Sequence, residues 1–232
     1  MRILVTRPEP DASQLAGVLV AAGHEAVLEP LMTIEYEADA ALNLSGVQGV
    51  LLTSANGTRA LSKATDRRDV ALYCVGAASA QQAADDGFTN IANAQGDVSD
   101  LATLVRHTCD PNAGPLVHVA GSVVAGDLAG QLAKAGFETQ RVVLYHAETA
   151  HWLSNATQQL MRDASLDVVM LFSPRTAKTF VTLVGNAHLE GACAALDLLC
   201  LSQAVADAMS GLPCRMIRVA DRPTTEAMLA LL

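Results

Sequence analysis

Short apolar runs alternate with segments of helical period along nearly the whole chain. The runs RILVT (2–6), EAVLE (25–29), GVLLTS (49–54), ALYCVG (71–76), TNIANA (89–94), LVHVAG (116–121), QRVVLY (140–145), DVVMLFS (167–173), LLCLS (198–202) and MIRVA (216–220) read as strands. Between most of them lie Ala/Leu/Gln-rich stretches such as 11–22, 56–65, 77–86, 99–109 and 126–135, whose apolar positions recur at helical spacing. Strands and helices alternating over such short links predict parallel sheets with helices on both faces. About ten strands exceed one compact doubly wound sheet for a chain of 232 residues. The expectation is therefore two five-stranded sheets.

An internal repeat supports two units. LAGVLVAAGHEAVLEPLMTIE (15–35) aligns without a gap on LAGQLAKAGFETQRVVLYHAE (128–148), at a shift of 128 − 15 = 113. Leu15, Ala16, Gly17, Leu19, Ala22, Gly23, Glu25 and Glu35 all recur. Gly23 and Gly136 stand where a helix C-cap belongs before the next strand. The corners LLTSANG and LFSPRTA make a second pair, and YCVGAASAQQAADDG with LCLSQAVADAMSG a looser third. The early unit has its copy in the middle of the chain, so its sheet partners are expected among the late strands. The predicted architecture is two interleaved α/β domains. One is built from 1–30 plus 151–232 and the other from 39–142, with 31–38 and 143–150 crossing between them as a two-stranded linker.

Composition narrows the class. Half of the residues are hydrophobic and only 3% aromatic, which suits an aliphatic α/β core. A net charge of −9 argues against nucleic acid, because phosphate binding demands clustered Lys and Arg. It also requires that any anionic ligand be held by local contacts. The five cysteines, Cys74, Cys109, Cys193, Cys200 and Cys214, contain no Cys-x-x-Cys pair and read as reduced thiols. His146, His151 and Glu148 do not have the spacing of a common zinc site, so no metal is expected. The opening apolar run is too short for a signal peptide and no segment is long enough to span a bilayer. A cytoplasmic protein without a membrane partner is the expectation.

Candidate chemistry concentrates at two corners, LLTSANGTRAL (51–61) and MLFSPRTAKTF (170–180). Each runs from a buried strand into a helix and offers a hydroxyl and free backbone amides at the helix start. Neither is a Gly-x-Ser-x-Gly elbow, a P-loop or a Gly-x-Gly-x-x-Gly turn. In order along the chain, ILVTRP, the strand into TSANG, CVGAASA, VVLYHAE, the strand into FSP and the closing PTTEAMLALL resemble the uroporphyrinogen-III synthase family. The resemblance covers essentially the whole chain and rests on order and spacing.

That resemblance implies two flavodoxin-like domains joined by a two-stranded linker. It also implies an enzyme, a lyase that converts hydroxymethylbilane into uroporphyrinogen III by loss of water, inversion of the last ring and macrocycle closure. It implies no cofactor and no metal, and a monomer with at most transient contact to the preceding enzyme of the pathway. Tyr145, in VVLYHAE, falls at the family's catalytic tyrosine. A phenol keeps its proton at neutral pH and can protonate a departing hydroxide. The substrate is a linear tetrapyrrole with eight carboxylates, which helix starts suit. Ser54 and Asn56 at one corner, Ser173 and Arg175 at the other, and Arg7 at the end of the first strand are the expected contacts. Ser54 and Ser173 could equally serve as helix caps, and Arg7 as a solvated side chain. Ser79 stands at the threonine of the family's Val-Gly-x-x-Thr-Ala. Ser122 belongs to the corner GSVVAG (121–126), which lacks the arginine often seen there. In the second copy, CLSQAVA, Ser202 replaces the glycine and Val205 carries no hydroxyl. A non-catalytic two-lobed binding module, either a divergent tetrapyrrole-binding relative or a solute-binding protein, remains the alternative.

Overall fold

A computed structural model describes residues 1–37, 40–123 and 126–232. Ala38, within the expected first linker segment, and Asp39, at the expected domain start, lie outside the described residues. So do Val124 and Ala125 of GSVVAG. The chain divides into two compact units, Met1–Thr33 with Glu148–Leu232, and Ile34–Ala147.

In the first unit, β1 (Arg2–Val5), β2 (Glu25–Leu28), β9 (Val168–Leu171), β10 (Asp197–Cys200) and β11 (Met216–Val219) form one parallel sheet in the order β11-β10-β9-β1-β2. Its three inner strands β1, β9 and β10 are buried along nearly their whole length because both faces are covered, whereas the edge strands β2 and β11 are partly exposed. Leu4, Val169, Leu171 and Leu198 face one cluster with Phe180 of α7 (Pro174–Asn186). Ile3, Val5, Val168 and Met170 face the other, with Leu15 and Leu19 of α1 (Asp11–Ala21) and Met228 of α9 (Thr225–Leu229). Burying one such side chain contributes about 1.5–3 kcal/mol.

The second unit repeats the plan. β4 (Gly49–Leu52), β5 (Leu72–Cys74), β6 (Ile91–Asn93), β7 (Leu116–Gly121) and β8 (Thr139–Thr149) pair in parallel in the order β8-β7-β4-β5-β6. One face packs on Leu61 of α2 (Ala55–Ala64) and Ala83 of α3 (Ala77–Asp85). The other packs on Leu101 and Val105 of α4 (Val98–Thr108) and Leu132 of α5 (Leu128–Ala133).

The repeat explains the two strand orders. If β7 is matched to β1 and β8 to β2, as the copied segments require, both sheets follow the order 2-1-3-4-5 of the flavodoxin-like fold. The copies are interleaved because the second unit begins at its third strand. The repeated glycines behave alike: Gly23 has φ +83° and Gly136 has φ +86°, each ending a helix in the left-handed region.

One count differs from expectation. The second sheet has six strands, because β3 (Met32–Tyr36) adds to the edge of β8. β8 does not stop at Tyr145 but runs on to Thr149 as one strand, so the linker segment and the sheet strand are continuous. The amide of Glu37 donates to Leu144 and that of Ala150 to Leu31, so β3 and β8 run antiparallel.

Candidate active site

Tyr145 is placed by an irregularity in β8. Ala120 of β7 lies opposite Val143, but the next residue, Gly121, lies opposite Tyr145, so Leu144 is an extra residue in the pairing. Strict alternation would set Tyr145 on the face of Arg141 and Val143. The bulge turns it instead onto the face of Val142 and Leu144, where all three pack in one cluster. The ring lies against Gly121: a Cβ there would come within 2.7 Å of it. Only glycine admits the tyrosine at this point. The amide of Ser122 closes the corner by donating to the Tyr145 carbonyl at 3.0 Å.

The phenol oxygen of Tyr145 meets Ser54 Oγ at 2.9 Å. Ser54 is the N-cap of α2, extended at φ −159°, ψ 154°, and its Oγ accepts from the Gly57 amide at 3.0 Å. The capping and ligand readings of Ser54 therefore share one oxygen. With one lone pair taken by an amide, the serine hydroxyl can either donate its proton to the tyrosine oxygen or accept the phenol's proton on its second lone pair. Among the first residues of α2, the carbonyl of Ser54 accepts from Thr58 Oγ1, which also reaches the Ser79 carbonyl at 3.3 Å.

Beside Ser54, Asn56 accepts from Arg59 Nη1 at 2.9 Å, while Arg59 Nε donates to Gln82 at 2.7 Å. Arg59 thus bridges α2 and α3. Ser79 is buried, at 3% exposure, within this helix contact. Ser122 is exposed at the end of β7. Its carbonyl and that of Gly121 accept from Arg141 Nη2, at 2.9 and 2.7 Å. His118, opposite Arg141 in β7, is buried and lies 3.4 Å from Thr53 Oγ1. Burial, reinforced by the Arg141 charge, pushes its pKa down to about 4.

In the first unit, Ser173 caps α7: its Oγ accepts from the Thr176 amide at 3.1 Å and lies 2.8 Å from the Thr176 hydroxyl. Pro174 occupies the first helical position, where its missing N–H costs nothing. Arg175 is half-buried in the first turn, and its carbonyl accepts from Thr179 Oγ1. Ser54 and Ser173 thus occupy equivalent corners with the same backbone, but only Ser54 touches a tyrosine. Arg7 does not extend freely from its strand. Its guanidinium pairs with Asp11 at 2.5 Å, lies over the Phe172 ring at 4.7 Å and donates to Thr225 Oγ1 at 3.3 Å.

The structure thus brings Tyr145, Ser54, Asn56 and Ser122 to neighbouring strand and helix ends of one unit, with Ser79 beneath them. It places Arg7, Ser173 and Arg175 at the corresponding ends in the other. Arg141 escaped the sequence reading, since nothing local marks it; the signal would have been its register opposite β7. Among the described residues no group of three or more His, Cys, Asp and Glu side chains could hold a metal. No helix among them is long and apolar enough to cross a membrane.

The fold has counterparts of known structure. Uroporphyrinogen-III synthetase from Helicobacter pylori is similar with a TM-score of 0.64 at 15% identity, over 99% of this chain and 96% of that one. A mutant uroporphyrinogen III synthase from Thermus thermophilus gives 0.59 at 15% identity, with the same coverage. At such identity the likeness shows the fold. No curated protein sequence matches significantly. A family model described as uroporphyrinogen-III synthase HemD matches residues 13–230. The chain belongs to the uroporphyrinogen-III synthase family.

Proposed function

We propose that the chain closes hydroxymethylbilane into uroporphyrinogen III with Tyr145 as the acid that helps water to leave. The family match over 13–230 carries the activity. The contact of Tyr145 with Ser54 supports the role of the residue. The phenol gives its proton to the hydroxyl of the terminal hydroxymethyl group as the carbon–oxygen bond breaks, and water departs. The phenolate left behind accepts from Ser54, whose Oγ already accepts from the Gly57 amide at the positive end of α2. The last ring adds to the cationic methylene carbon through the α-carbon that already carries its methylene bridge; that bridge bond then breaks, and the methylene cation it leaves is taken by the ring's other α-carbon, whose proton is lost to the phenolate. Acid, product and water balance without an external reductant or oxidant.

Ring inversion is the harder demand, because the linear substrate also closes spontaneously without it. Holding the chain folded so that the inverted closure is reached first is a matter of positioning. In this reading Ser54, Asn56, Ser122, Ser173 and Arg175 meet substrate carboxylates, Arg7 supplies charge from its ion pair, and Ser79 supports the α2–α3 contact. The domains are taken as 1–30 with 151–232 and as 39–142, with 31–38 and 143–150 as linking strands, in a cytoplasmic monomer that needs no cofactor. The non-catalytic alternative has no observation in its favour. A coupled assay supplying fresh hydroxymethylbilane tests the reading: isomer III should dominate. A product mixture identical to that of the enzyme-free reaction would overturn it.

A further inference from the structure

The start of α2 carries an amide side chain whose orientation is dictated by its neighbours. Arg59 Nη1 lies 2.9 Å from Asn56 Oδ1, and Arg59 Nε lies 2.7 Å from Gln82 Oε1. A guanidinium only donates, so the atom facing it on each amide has to be the oxygen. Gln82 is fixed a second time, because its Nε2 donates to Asp86 Oδ1 at 2.9 Å. Arg59 thus stands between two amides whose oxygens both turn towards it. Asn56 Nδ2 is left over: it meets no acceptor among the described residues. Asn56 is the second residue of α2, two places after the Ser54 that meets Tyr145. Ser54 Oγ takes the Gly57 amide, which leaves the amides of Ala55 and Asn56 without an acceptor inside the helix. With its oxygen held by Arg59, the Asn56 side chain adds donors, and only donors, at the same helix start.

We propose that Arg59 is a positioning residue: it holds the Asn56 amide so that this corner offers only N–H donors and selects a substrate carboxylate. The inference rests on the proposed reaction and names which chemical group of hydroxymethylbilane meets α2. Acetate and propionate oxygens accept from Asn56 Nδ2, and the positive end of the helix favours their charge. Pyrrole N–H groups donate, and they find no acceptor on an amide whose oxygen is already taken. An amide free to turn would present its oxygen as well as its nitrogen, and the oxygen would repel the anion. Arg59 acts through Asn56, not on the substrate.

Steady-state kinetics on fresh hydroxymethylbilane, with a thermal midpoint for each variant, separates this from a role in packing. Asn56→Ala removes the donors and should raise KM about tenfold, the scale of a hydrogen bond to a charged group, with little change in kcat. In Asn56→Asp one carboxylate oxygen still accepts from Arg59, while the other turns a negative charge on the ligand. That variant should keep the parental midpoint and raise KM further than alanine does. Packing alone would rank the two the other way, since aspartate keeps the Arg59 contact and alanine loses it. Arg59→Met should raise KM about two- to fivefold in the parent, and not at all in the Asn56→Ala background. A residue that acts through another has no effect once the other is gone. Unchanged KM in Asn56→Ala would overturn the proposal, as would a KM no higher in Asn56→Asp than in Asn56→Ala. So would additive effects of Arg59→Met and Asn56→Ala. If the parent chain itself yields no isomer III, the proposed function fails instead, and the two failures are told apart in the same assay.

Discussion

At the residue scale, Tyr145 combines two properties that usually exclude each other. Its ring is part of a core cluster, yet its hydroxyl reaches a helix start at the end of a strand. The bulge at Gly121 produces both, by turning one more residue inward than alternation allows. Tyr145→Phe keeps the ring and removes the proton. Turnover should fall roughly tenfold to a hundredfold, the low side of general acid catalysis, because a water can substitute. As turnover falls, spontaneous closure competes and the isomer I fraction should rise. A phenylalanine variant with parental turnover and undiminished isomer III would return Tyr145 to a packing role. His118 makes a separate prediction about pH. Its pKa is lowered from 6.5 to about 4 by burial and the nearby Arg141 charge. The unfolded chain therefore takes up the proton first as pH falls. The stabilising contribution is complete above pH 6.5 and is lost progressively towards pH 4, by up to about 3 kcal/mol. Denaturant midpoints measured across that window should drop with acid, and His118→Gln should flatten the dependence.

At the element scale, the two capped corners form a natural comparison. Ser54 and Ser173 begin α2 and α7 from the same extended backbone and each accepts from an amide three residues on. Alanine at either should cost about 1 kcal/mol through loss of the cap. Only Ser54→Ala also strips the Tyr145 oxygen of its partner, so it alone should lower turnover more than its stability loss explains. Equal kinetic effects at the two positions would remove Ser54 from the chemistry. The caps, strands and repeated units were legible in the sequence, because apolar period and helix-start chemistry are local properties. Interleaving followed from the order of the copies. The bulge at Tyr145, the reach of Arg141 and the sixth strand were not legible. Each depends on which strands become neighbours and at what register, and β7 and β8 carry no local mark of their pairing. Arg7 illustrates the same limit: its i,i+4 partner Asp11 lies across the break between a strand and a helix, where helical spacing gives no warrant for pairing. Arg59 was hidden because its partner Gln82 belongs to another helix.

At the scale of the whole molecule, an acidic protein must bind an acidic substrate. The chain carries −9 at neutral pH and hydroxymethylbilane brings eight carboxylates, so the long-range field opposes encounter. In the proposed reading, binding then depends on contacts a few ångströms long at the capped corners of α2 and α7. These two influences respond to salt differently. The overall repulsion acts across distances beyond the Debye length, about 10 Å at 0.1 M, and is screened first. Hydrogen-bonded contacts within a corner are screened much less. Raising ionic strength from a few millimolar to about 0.1 M should therefore increase kcat/KM by speeding encounter. Further salt should bring a plateau and then a decline as ions compete for the local donors. Arg141→Met should steepen the initial rise, since removing a cation makes the net charge more negative by one and leaves the repulsion less compensated. The measurement is kcat/KM for isomer III formation against salt concentration. A steady fall from the lowest salt upward would mean that local cations dominate even at long range, and that the net charge is irrelevant to encounter.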